Sequence, residues 1–285
     1  MSKILITGIN GQLGHDVSKQ LNLNKSYMIL SPGREQLDLT NKKKVEEYLS
    51  SNKPDVIVHC AAYTAVDKAE SEKELAFDVN VNGTKYLTEY CKENNCKIVY
   101  ISTDYVFDGS GNQPFEINSP INPINYYGFT KAQGEKIIVD NLEKYFIIRI
   151  SWVFGINGNN FVKTMINLSK KLATLNVIND QIGSPTYTKH LAECIQEMID
   201  TEKYGIYHAT NEGYCSWYDF AKEIFAILEL DTVINPITTE EYPTDAKRPK
   251  NSRLSKVELK NNGFENLPTW QNALREYLKE LKENE

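Results

Sequence analysis

The chain has 285 residues, of which 41% are hydrophobic and 25% are charged, an ordinary composition for a globular protein with a buried core. Its formal net charge of −6 and its pI near 5.4 argue against nucleic acid or an anionic membrane surface as a partner. No signal peptide or transmembrane stretch is recognisable, and the five cysteines lack CxxC spacing, so we expect reduced thiols in a cytoplasmic protein.

Short apolar runs alternate with longer amphipathic stretches through the first half of the chain. The runs are Lys3 to Thr7, Tyr27 to Ser31, Val56 to Cys60, Lys97 to Ser102 and Tyr145 to Ile150. This alternation predicts an α/β fold with a doubly wound parallel sheet, and the nearly continuous apolarity of the runs predicts helices on both faces. The intervening helices are expected to begin near Gln12, Asn41, Asp78 and Tyr127, with Asn41 and Asp78 as N-caps.

After Ile150 the pattern is less regular. Helices are expected from about Phe161, His190, Ser216 and Thr269, and strands near Asn176, Tyr207 and Val233. We therefore predict a cofactor-binding domain over residues 1–151. Residues 152–285 are predicted to form a smaller, discontinuous α/β lobe that binds the substrate and returns some segments to the first domain. The stretch from Asp104 to Asn125, rich in Gly, Asn and Pro, is expected to be a site-forming loop.

A run of glycines follows the first strand and opens the first helix. Glycines at such a turn let backbone amides approach a pyrophosphate at the positive end of the helix dipole. Simple turn chemistry would explain an isolated triplet, but the strand before it and the helix after it favour a dinucleotide site. The spacing, GxxGxxG, differs from the GxGxxG of ordinary dinucleotide dehydrogenases. The candidate residues are Gly8, Asn10, Gly11, Gln12, Leu13 and Gly14.

The end of the second strand bears on the choice of cofactor. A carboxylate at this place would bind the ribose 2′-hydroxyl of NAD and repel the 2′-phosphate of NADP. The sequence has Ser31-Pro-Gly-Arg34 instead, and a hydroxyl and a guanidinium suit a phosphate. Ser31 and Arg34 therefore favour NADPH without excluding NADH. An ordinary solvated side chain is the alternative for Arg34.

Tyr127 and Lys131 lie four residues apart at the start of a predicted helix, so their side chains share one face. A lysine cation near a phenol lowers the tyrosine pKa from its usual value of about 10, which predicts proton transfer near neutrality. Thr103, at the end of the fourth strand, is placed to bind a carbonyl under attack. Each feature is weak alone, because Tyr-Lys pairs occur by chance and Thr103 could simply end the strand.

Motifs spread over nearly the whole chain resemble the dTDP-4-dehydrorhamnose reductases, a family of extended short-chain dehydrogenases with a Rossmann domain. These motifs are the glycine loop, Ala61 to Glu70, Asn80 to Thr84, Ser102 to Phe107, Tyr127 with Lys131, Arg149 to Gly155, Gln181 to Thr186 and Arg248 to Ser252. The resemblance implies the last step of dTDP-L-rhamnose synthesis, in which NADPH reduces the C4 keto group of dTDP-4-dehydro-L-rhamnose. It implies that Tyr127 donates the proton, that Lys131 tunes Tyr127 and holds the nicotinamide ribose, and that Thr103 orients the carbonyl.

The resemblance also assigns binding roles. It implies Asp38 and Leu39 beside the adenine, Ala62, Tyr63 and Thr64 along the cofactor, and Thr103, Asp104 and Trp152 on the sugar nucleotide, with Asn160 lining the nucleotide pocket. Arg248 is our candidate for the substrate diphosphate. A plain core position for Trp152 and a solvated surface position for Arg248 remain the alternatives.

Four other functions share parts of this pattern. Sugar-nucleotide dehydratases and epimerases have the glycine loop and the Tyr-Lys pair, but dehydratases carry a Glu where this chain has Tyr105. A regulatory NADP-binding subunit would have lost Tyr127 or Lys131, and another nucleotide-sugar 4-ketoreductase would keep both.

The sequence is less informative about metals and assembly. The four histidines show no ligand spacing, so no metal site is predicted. Some members of the family dimerise through magnesium bound by glutamates, and here His15-Asp16 stands near one expected position. Magnesium is therefore left open, and the protein is expected to be a monomer or a homodimer.

Overall fold

The structure is a computed structural model that describes residues 1–283, so the last two residues of the predicted second lobe lie outside the described residues. The strands are β1 (Ser2–Thr7), β2 (Tyr27–Leu30), β3 (Val56–His59), β4 (Lys97–Thr103), β5 (Tyr145–Ile150), β6 (Val153–Phe154), β7 (Thr174–Ile178), β8 (Ile182–Gly183), β9 (Thr186–Tyr187), β10 (Gly205–His208), β11 (Cys215–Ser216), β12 (Val233–Ile237) and β13 (Asn251–Ser252). The α-helices are α1 (Gln12–Leu21), α2 (Lys42–Asn52), α3 (Val66–Ala69), α4 (Lys73–Phe77), α5 (Gly83–Asn94), α6 (Tyr126–Asn141), α7 (Phe161–Ser169), α8 (Thr188–Ile199), α9 (Trp217–Leu228), α10 (Val257–Asn261) and α11 (Trp270–Glu283).

The main sheet has six parallel strands in the order β2-β1-β3-β4-β5-β10. The predicted doubly wound parallel sheet is confirmed. Each of the five strands predicted in the first half begins and ends within one residue of its expected bounds. The chain leaves β1 in one direction for β2 and in the other for β3. Open parallel sheets bind ligands at such a switch point, beyond the carboxyl ends of the strands.

Alternating side chains of the strands feed two hydrophobic cores, one on each face of the sheet. In β1, Ile4 and Ile6 pack with residues of α1 and α8, whereas Leu5 packs with residues of α2, α5 and α6. All three are completely buried, and each such side chain contributes roughly 1.5–3 kcal/mol of transfer free energy. Helices on both faces thus explain why the strands are apolar throughout.

Two predicted helix starts differ from the structure. Asp78 is not an N-cap, because the helical run already begins at Lys73, and Asp78 opens a single π-helical turn over Asp78–Asn82. This turn carries the buried Asn80 amide, which binds both backbone groups of Tyr63 at 2.8 and 3.2 Å. Helix α6 begins at Tyr126 rather than Tyr127, because Asn125 is its N-cap and accepts a hydrogen bond from Gly128 N at 2.8 Å.

The second half builds a separate core and also completes the main sheet. Small sheets, β7 with β12 and β8 with β11 and β13, surround a core that includes Phe154, Phe220, Trp270 and Tyr277. Strand β10, in contrast, joins the main sheet beside β5. Within residues 1–283 no helix is both long and apolar enough to cross a bilayer.

The predicted site-forming loop, Asp104 to Asn125, meets the site only at its beginning. Further along, Asn251 N donates to Gly109 O at 3.0 Å and Phe115 N donates to Arg253 O at 2.9 Å. The middle of the loop is therefore pinned to the segment around β13. The expectation was correct only for Asp104 and Tyr105, which line the cavity described below.

Candidate active site

A cavity of about 810 Å³ lies at the carboxyl ends of β1, β3, β4 and β5. It occupies the switch point of the sheet, where the topology predicts a ligand. The predicted site residues that line it are Gly8, Asn10, Gly11, Gln12, Leu13, Gly14, Arg34, Asp38, Leu39, Ala62, Tyr63, Thr64, Thr103, Asp104, Tyr127, Lys131 and Trp152. Ser31, Asn160 and Arg248 are not among the lining residues.

Two glycines of the glycine loop have no room for a side chain. Gly8 has a φ of +74°, and a Cβ there would lie 2.7 Å from Ala61 N. A Cβ on Gly14 would lie 2.2 Å from Gly8 O. The loop ends at Gly11, the N-cap of α1, and no side chain caps the first amides of that helix. Free amides at a helix N-terminus bind anions, so this end of the cavity is built to hold a phosphate group.

A buried histidine fixes the cavity segment that follows β3. Thr7 Oγ1 and His59 Nδ1 are 2.8 Å apart, and Ala61 N donates to Thr7 Oγ1 at 3.1 Å. The other ring nitrogen of His59 lies 3.1 Å from Thr84 Oγ1. Burial lowers the pKa of His59 to about 3, so the ring is neutral and serves as a bridge rather than as an acid. It thereby positions the residues from Ala61 onward along the cavity.

The two residues predicted to recognise a 2′-phosphate are separated by the structure. Arg34 is exposed and lines the cavity, whereas Ser31 is exposed and lies outside the lining. Nearby, Asp38 accepts hydrogen bonds from Thr40 N and Oγ1 at 3.1 and 2.8 Å. The hydroxyl bond from Thr40 is the largest cause of a lowered Asp38 pKa. Of the two residues predicted to bind the 2′-phosphate, Arg34 is therefore the one that lines the cavity.

Tyr127 and Lys131 share one buried face of α6, but the predicted direction of the Tyr127 pKa is wrong for this structure. Burial raises that pKa well above the usual range, the Asp104 charge raises it further, and hydrogen bonding with Thr103 opposes both. The Lys131 ammonium lies 3.9 Å from the centre of the Tyr100 ring, and burial lowers its pKa to about 7. Burial is thus the largest influence on the pKa of both groups, and Tyr127 stays protonated at neutral pH.

Asp104 combines burial with an unused hydrogen-bonding atom. Its Oδ1 accepts from Thr103 Oγ1 at 2.9 Å, while its buried Oδ2 has no partner at normal hydrogen-bond geometry among residues 1–283, although the Ser252 side chain is close enough to oppose the rise of the Asp104 pKa. Burial raises the pKa of this carboxyl group to about 6. A buried acceptor without a partner is costly. Because Asp104 also lines the cavity, its carboxyl group is a candidate for contact with a bound ligand.

Trp152 adopts a backbone conformation that is unusual for its type, with a φ of +50°. Its ring stacks on Trp217, with centroids 3.7 Å apart and an interplanar angle of 12°. A Cβ on Gly183 would lie 2.8 Å from Trp152 Cε2. Both indoles are partly exposed and line the cavity, so Trp152 is not a plain core residue.

Trp217 was missed by the sequence reasoning. The signal available was its place directly after Ser216, which correctly predicts the start of α9. Ser216 and Asp219 form a complete capping box, which fixes the first turn of this helix and with it Trp217.

Asn160 and Arg248 contact cavity residues rather than the cavity itself. Asn160 caps α7 and donates to Gly155 O at 2.8 Å and to Gln12 Oε1 at 3.1 Å. Arg248 forms an ion pair with Asp67 at 2.6 Å and donates to the hydroxyl of Tyr105 at 3.4 Å. Arg248 is thus bound to a carboxylate at the edge of the site, and it is not the solvated surface residue that the alternative supposed.

The structure also bears on metal binding. Residues 1–283 contain no group of three or more His, Cys, Asp and Glu side chains placed to hold a metal ion. Asp16, which stands near one position expected for a magnesium ligand, is buried and accepts a hydrogen bond from the Thr188 hydroxyl.

Comparison with known proteins agrees with this geometry. The family described as the RmlD substrate binding domain matches residues 2–283. A dTDP-4-dehydrorhamnose reductase of Aggregatibacter actinomycetemcomitans is 44% identical, covering 96% of this chain and 98% of the relative. Among solved structures, a dTDP-4-dehydrorhamnose reductase of Clostridium acetobutylicum is 44% identical with a TM-score of 0.96, covering 98% and 99% of the two chains. The enzyme of Bacillus anthracis, in complex with NADP, is 42% identical with a TM-score of 0.95, covering 98% and 100%.

Proposed function

Because the chain belongs to the dTDP-4-dehydrorhamnose reductase family, we propose that it reduces the C4 keto group of dTDP-4-dehydro-L-rhamnose to give dTDP-L-rhamnose. One observation carries the proposal: Tyr127, Lys131 and Thr103 line the same cavity as the glycine loop. A proton donor and a phosphate cradle in one cavity are what a dinucleotide-dependent ketone reduction requires.

The cavity residues fit NADPH. The space that a Cβ would fill at Gly8 and Gly14, together with the free amides of α1, suits the pyrophosphate. Arg34 would hold the 2′-phosphate, and Lys131 would bind the nicotinamide ribose. Asp38 and Leu39 would flank the adenine, and Ala62, Tyr63 and Thr64 would run along the cofactor. When bound, NADPH supplies the hydride.

The residues of the chain control the proton and the carbonyl. Tyr127 would donate a hydrogen bond to the C4 oxygen, and Thr103 would do so by turning its hydroxyl proton from Asp104 Oδ1 to the carbonyl, which polarises the C=O bond. As hydride adds to C4, the π electrons of the carbonyl move to its oxygen, and that oxygen takes the proton of the Tyr127 hydroxyl. Lys131 opposes the negative charge that Tyr127 then acquires, and solvent reprotonates the phenolate. The raised Tyr127 pKa suits this direction, because the phenol is fully protonated before the reaction.

Residues of both halves would bind the sugar nucleotide. We propose that residues 1–151 bind the cofactor and that residues 152–285 contribute most of the substrate lobe. Asp104 and Trp152 would contact the sugar, and Asn160 would act through Gln12. Arg248 would exchange the Asp67 carboxylate for the substrate diphosphate, which is an exchange of one anion for another.

We further propose a cytoplasmic enzyme that acts as a monomer or homodimer without a nucleic-acid or membrane partner. All five cysteines are free thiols, which fits a reducing compartment.

A substrate comparison tests the proposed function. The purified protein is mixed with NADPH and either dTDP-4-dehydro-L-rhamnose or dTDP-4-dehydro-6-deoxy-D-glucose, and loss of cofactor absorbance is followed. We expect turnover of the first substrate to exceed that of the second by at least about tenfold. The two sugar rings differ in configuration, and the contacts with the cavity that this changes are worth about 1–3 kcal/mol. Equal or reversed preference would assign the chain to another 4-ketoreductase. Tightly retained, unexchanging NAD⁺ would instead indicate epimerase or dehydratase chemistry.

Arg34→Ala tests the choice of cofactor. Losing a charge-assisted contact with the 2′-phosphate is expected to raise KM for NADPH about 10-fold or more, while KM for NADH changes little. Steady-state kinetics with each cofactor measure the effect. Lys43→Ala, which removes an exposed cation on α2 outside the cavity lining, is the matched control. Equal effects of Arg34→Ala on both cofactors would refute the assignment.

Trp217→Ala tests whether the stacked indoles bind the substrate. Removing Trp217 frees one face of Trp152 and is expected to raise KM for the sugar nucleotide about 10-fold without changing KM for NADPH. Tyr218→Ala, the next residue of α9 and outside the cavity lining, is the control. If both variants changed KM alike, the effect would belong to the helix and not to the indole.

A further inference from the structure

A buried ion pair lies directly behind the catalytic residues. Glu135 of α6 and Arg149 of β5 are 4% and 2% exposed. Arg149 Nε donates to Glu135 Oε1 at 2.9 Å, and Arg149 Nη2 donates to Oε2 at 2.7 Å. Desolvation of two charges commonly cancels their attraction, so apolar residues can often replace such a pair without loss of stability. Stability alone therefore does not account for this pair.

The position of the pair connects it to the groups proposed to react. Tyr127, Lys131 and Glu135 follow each other at four-residue steps and so share one face of α6. Glu135 Oε1 also accepts from Ser102 Oγ at 2.5 Å, and Ser102 directly precedes Thr103. Arg149 pairs with Ser102 in the register of β4 and β5. Glu135 thus joins the helix of the proton donor to the strand that carries Thr103.

The surroundings of Lys131 contain few charges. The groups that interact with it within residues 1–283 are Glu135 on α6, Tyr100 on β4, and His59 and Cys60 at the end of β3, while Tyr127 lies one turn earlier on α6. His59 is neutral, and burial raises the pKa of the Cys60 thiol to about 12. Tyr100 is buried, and burial raises its pKa well above the usual range. Glu135 is therefore the group of opposite charge in this set.

We propose, on the basis of the function proposed above, that Glu135 is a positioning residue that keeps Lys131 a cation and fixes the catalytic face of α6 against Thr103. Arg149 holds the Glu135 carboxylate in place. It also offsets part of the negative charge that Glu135 presents to Lys131. Removing Glu135 therefore makes the electrostatic potential at Lys131 more positive, whereas removing Arg149 makes it more negative.

Two single variants test this opposition. Lys131 is expected to lose its proton as pH rises, which weakens NADPH binding and slows turnover at alkaline pH. Glu135→Gln removes the negative charge and should move this alkaline decline to lower pH by about one pH unit. Arg149→Met removes the positive charge that offsets Glu135, so Lys131 meets a more negative potential and keeps its proton longer. This variant should move the decline to higher pH. The readouts are the pH dependence of the NADPH dissociation constant, from cofactor fluorescence, and the pH dependence of kcat.

A double variant covers the case in which an unpaired buried charge prevents folding. Glu135→Met with Arg149→Met removes both charges and should fold, with an alkaline decline displaced to lower pH by less than in Glu135→Gln. Asp140→Asn, which breaks the exposed pair between Lys136 and Asp140 on the same helix, is the control and should shift nothing.

The outcomes separate this proposal from the proposed function. Opposite shifts in the two single variants support it, as does the displaced decline of the double variant. Shifts of the same sign in both singles, or a double variant with wild-type pH profiles, would overturn it. Cofactor binding reports these shifts without any turnover, so an inactive wild-type protein would sink the reductase assignment and leave the role of Glu135 testable.

Discussion

Tyr127→Phe is expected to lower kcat about 1,000-fold while leaving the dissociation constant for NADPH nearly unchanged. General acid catalysis by a positioned side chain contributes roughly 10²- to 10⁴-fold, and the variant removes only the hydroxyl. The raised pKa of Tyr127 means that wild-type protein holds the proton across the neutral range. The measurement is steady-state turnover of dTDP-4-dehydro-L-rhamnose, with cofactor binding followed by fluorescence.

Tyr126→Phe is the matched control, because the two tyrosines are adjacent but only Tyr127 lines the cavity. Tyr126 instead packs against Phe129, with ring centroids 5.6 Å apart. We expect this variant to keep nearly full activity. Retention of activity by Tyr127→Phe, or equal losses in both variants, would require another proton source and would contradict the mechanism.

The fold could be predicted from the sequence because its signals are local and agree with one another. Apolar runs such as the one at Tyr145–Ile150 are too short for helices and too apolar for exposed strands. Asn41 is an N-cap as predicted, since its side chain needs only an amide three residues on. Ser216, near which a helix was expected to begin, is the N-cap of α9. The prediction that Asp78 is an N-cap was wrong, because the preceding turn is already helical. The tertiary contacts of Asn80 decide the geometry of that segment.

The site was predictable where position along a strand or helix determines it. Thr103 ends β4 and Tyr127 lies in the first turn of α6, so both reach the carboxyl edge of the sheet. Contacts between distant segments carried no such signal. The stack of Trp152 on Trp217 and the pairing of Arg248 with Asp67 each depend on how the second half folds against the first.

The Tyr127 pKa shows a different limit of sequence reasoning. Spacing gives the neighbour, Lys131, but not the burial, and burial is the larger effect on both groups. A phenol with a raised pKa does not supply an ionisation near neutrality, whereas a lysine with a pKa of about 7 does. The alkaline decline of activity is therefore expected to report Lys131 and not Tyr127.

Lys131→Met is expected to lower kcat by about 100-fold or more and, at the same time, to stabilise the cofactor-free protein. Burial lowers the Lys131 pKa from 10.5 to about 7, so a cation is buried at a cost below that pH. At pH 7 linkage gives a cost on the order of 4 kcal/mol, which methionine of similar shape avoids. Loss of the cation removes the group that opposes charge on Tyr127, which accounts for the slower reaction.

The stability advantage of Lys131→Met over the wild-type protein depends on pH. Below about pH 7 the lysine is protonated in both the folded and the unfolded chain, so the stability advantage of Lys131→Met is largest and constant. Between about 7 and 10.5 the unfolded chain binds more protons, so wild-type protein gains stability as pH rises and the advantage shrinks. Urea unfolding of both proteins at about pH 7 and about pH 9 measures it. An advantage that stayed constant, or a variant less stable than wild type at pH 7, would show that Lys131 is not a desolvated cation in the folded protein.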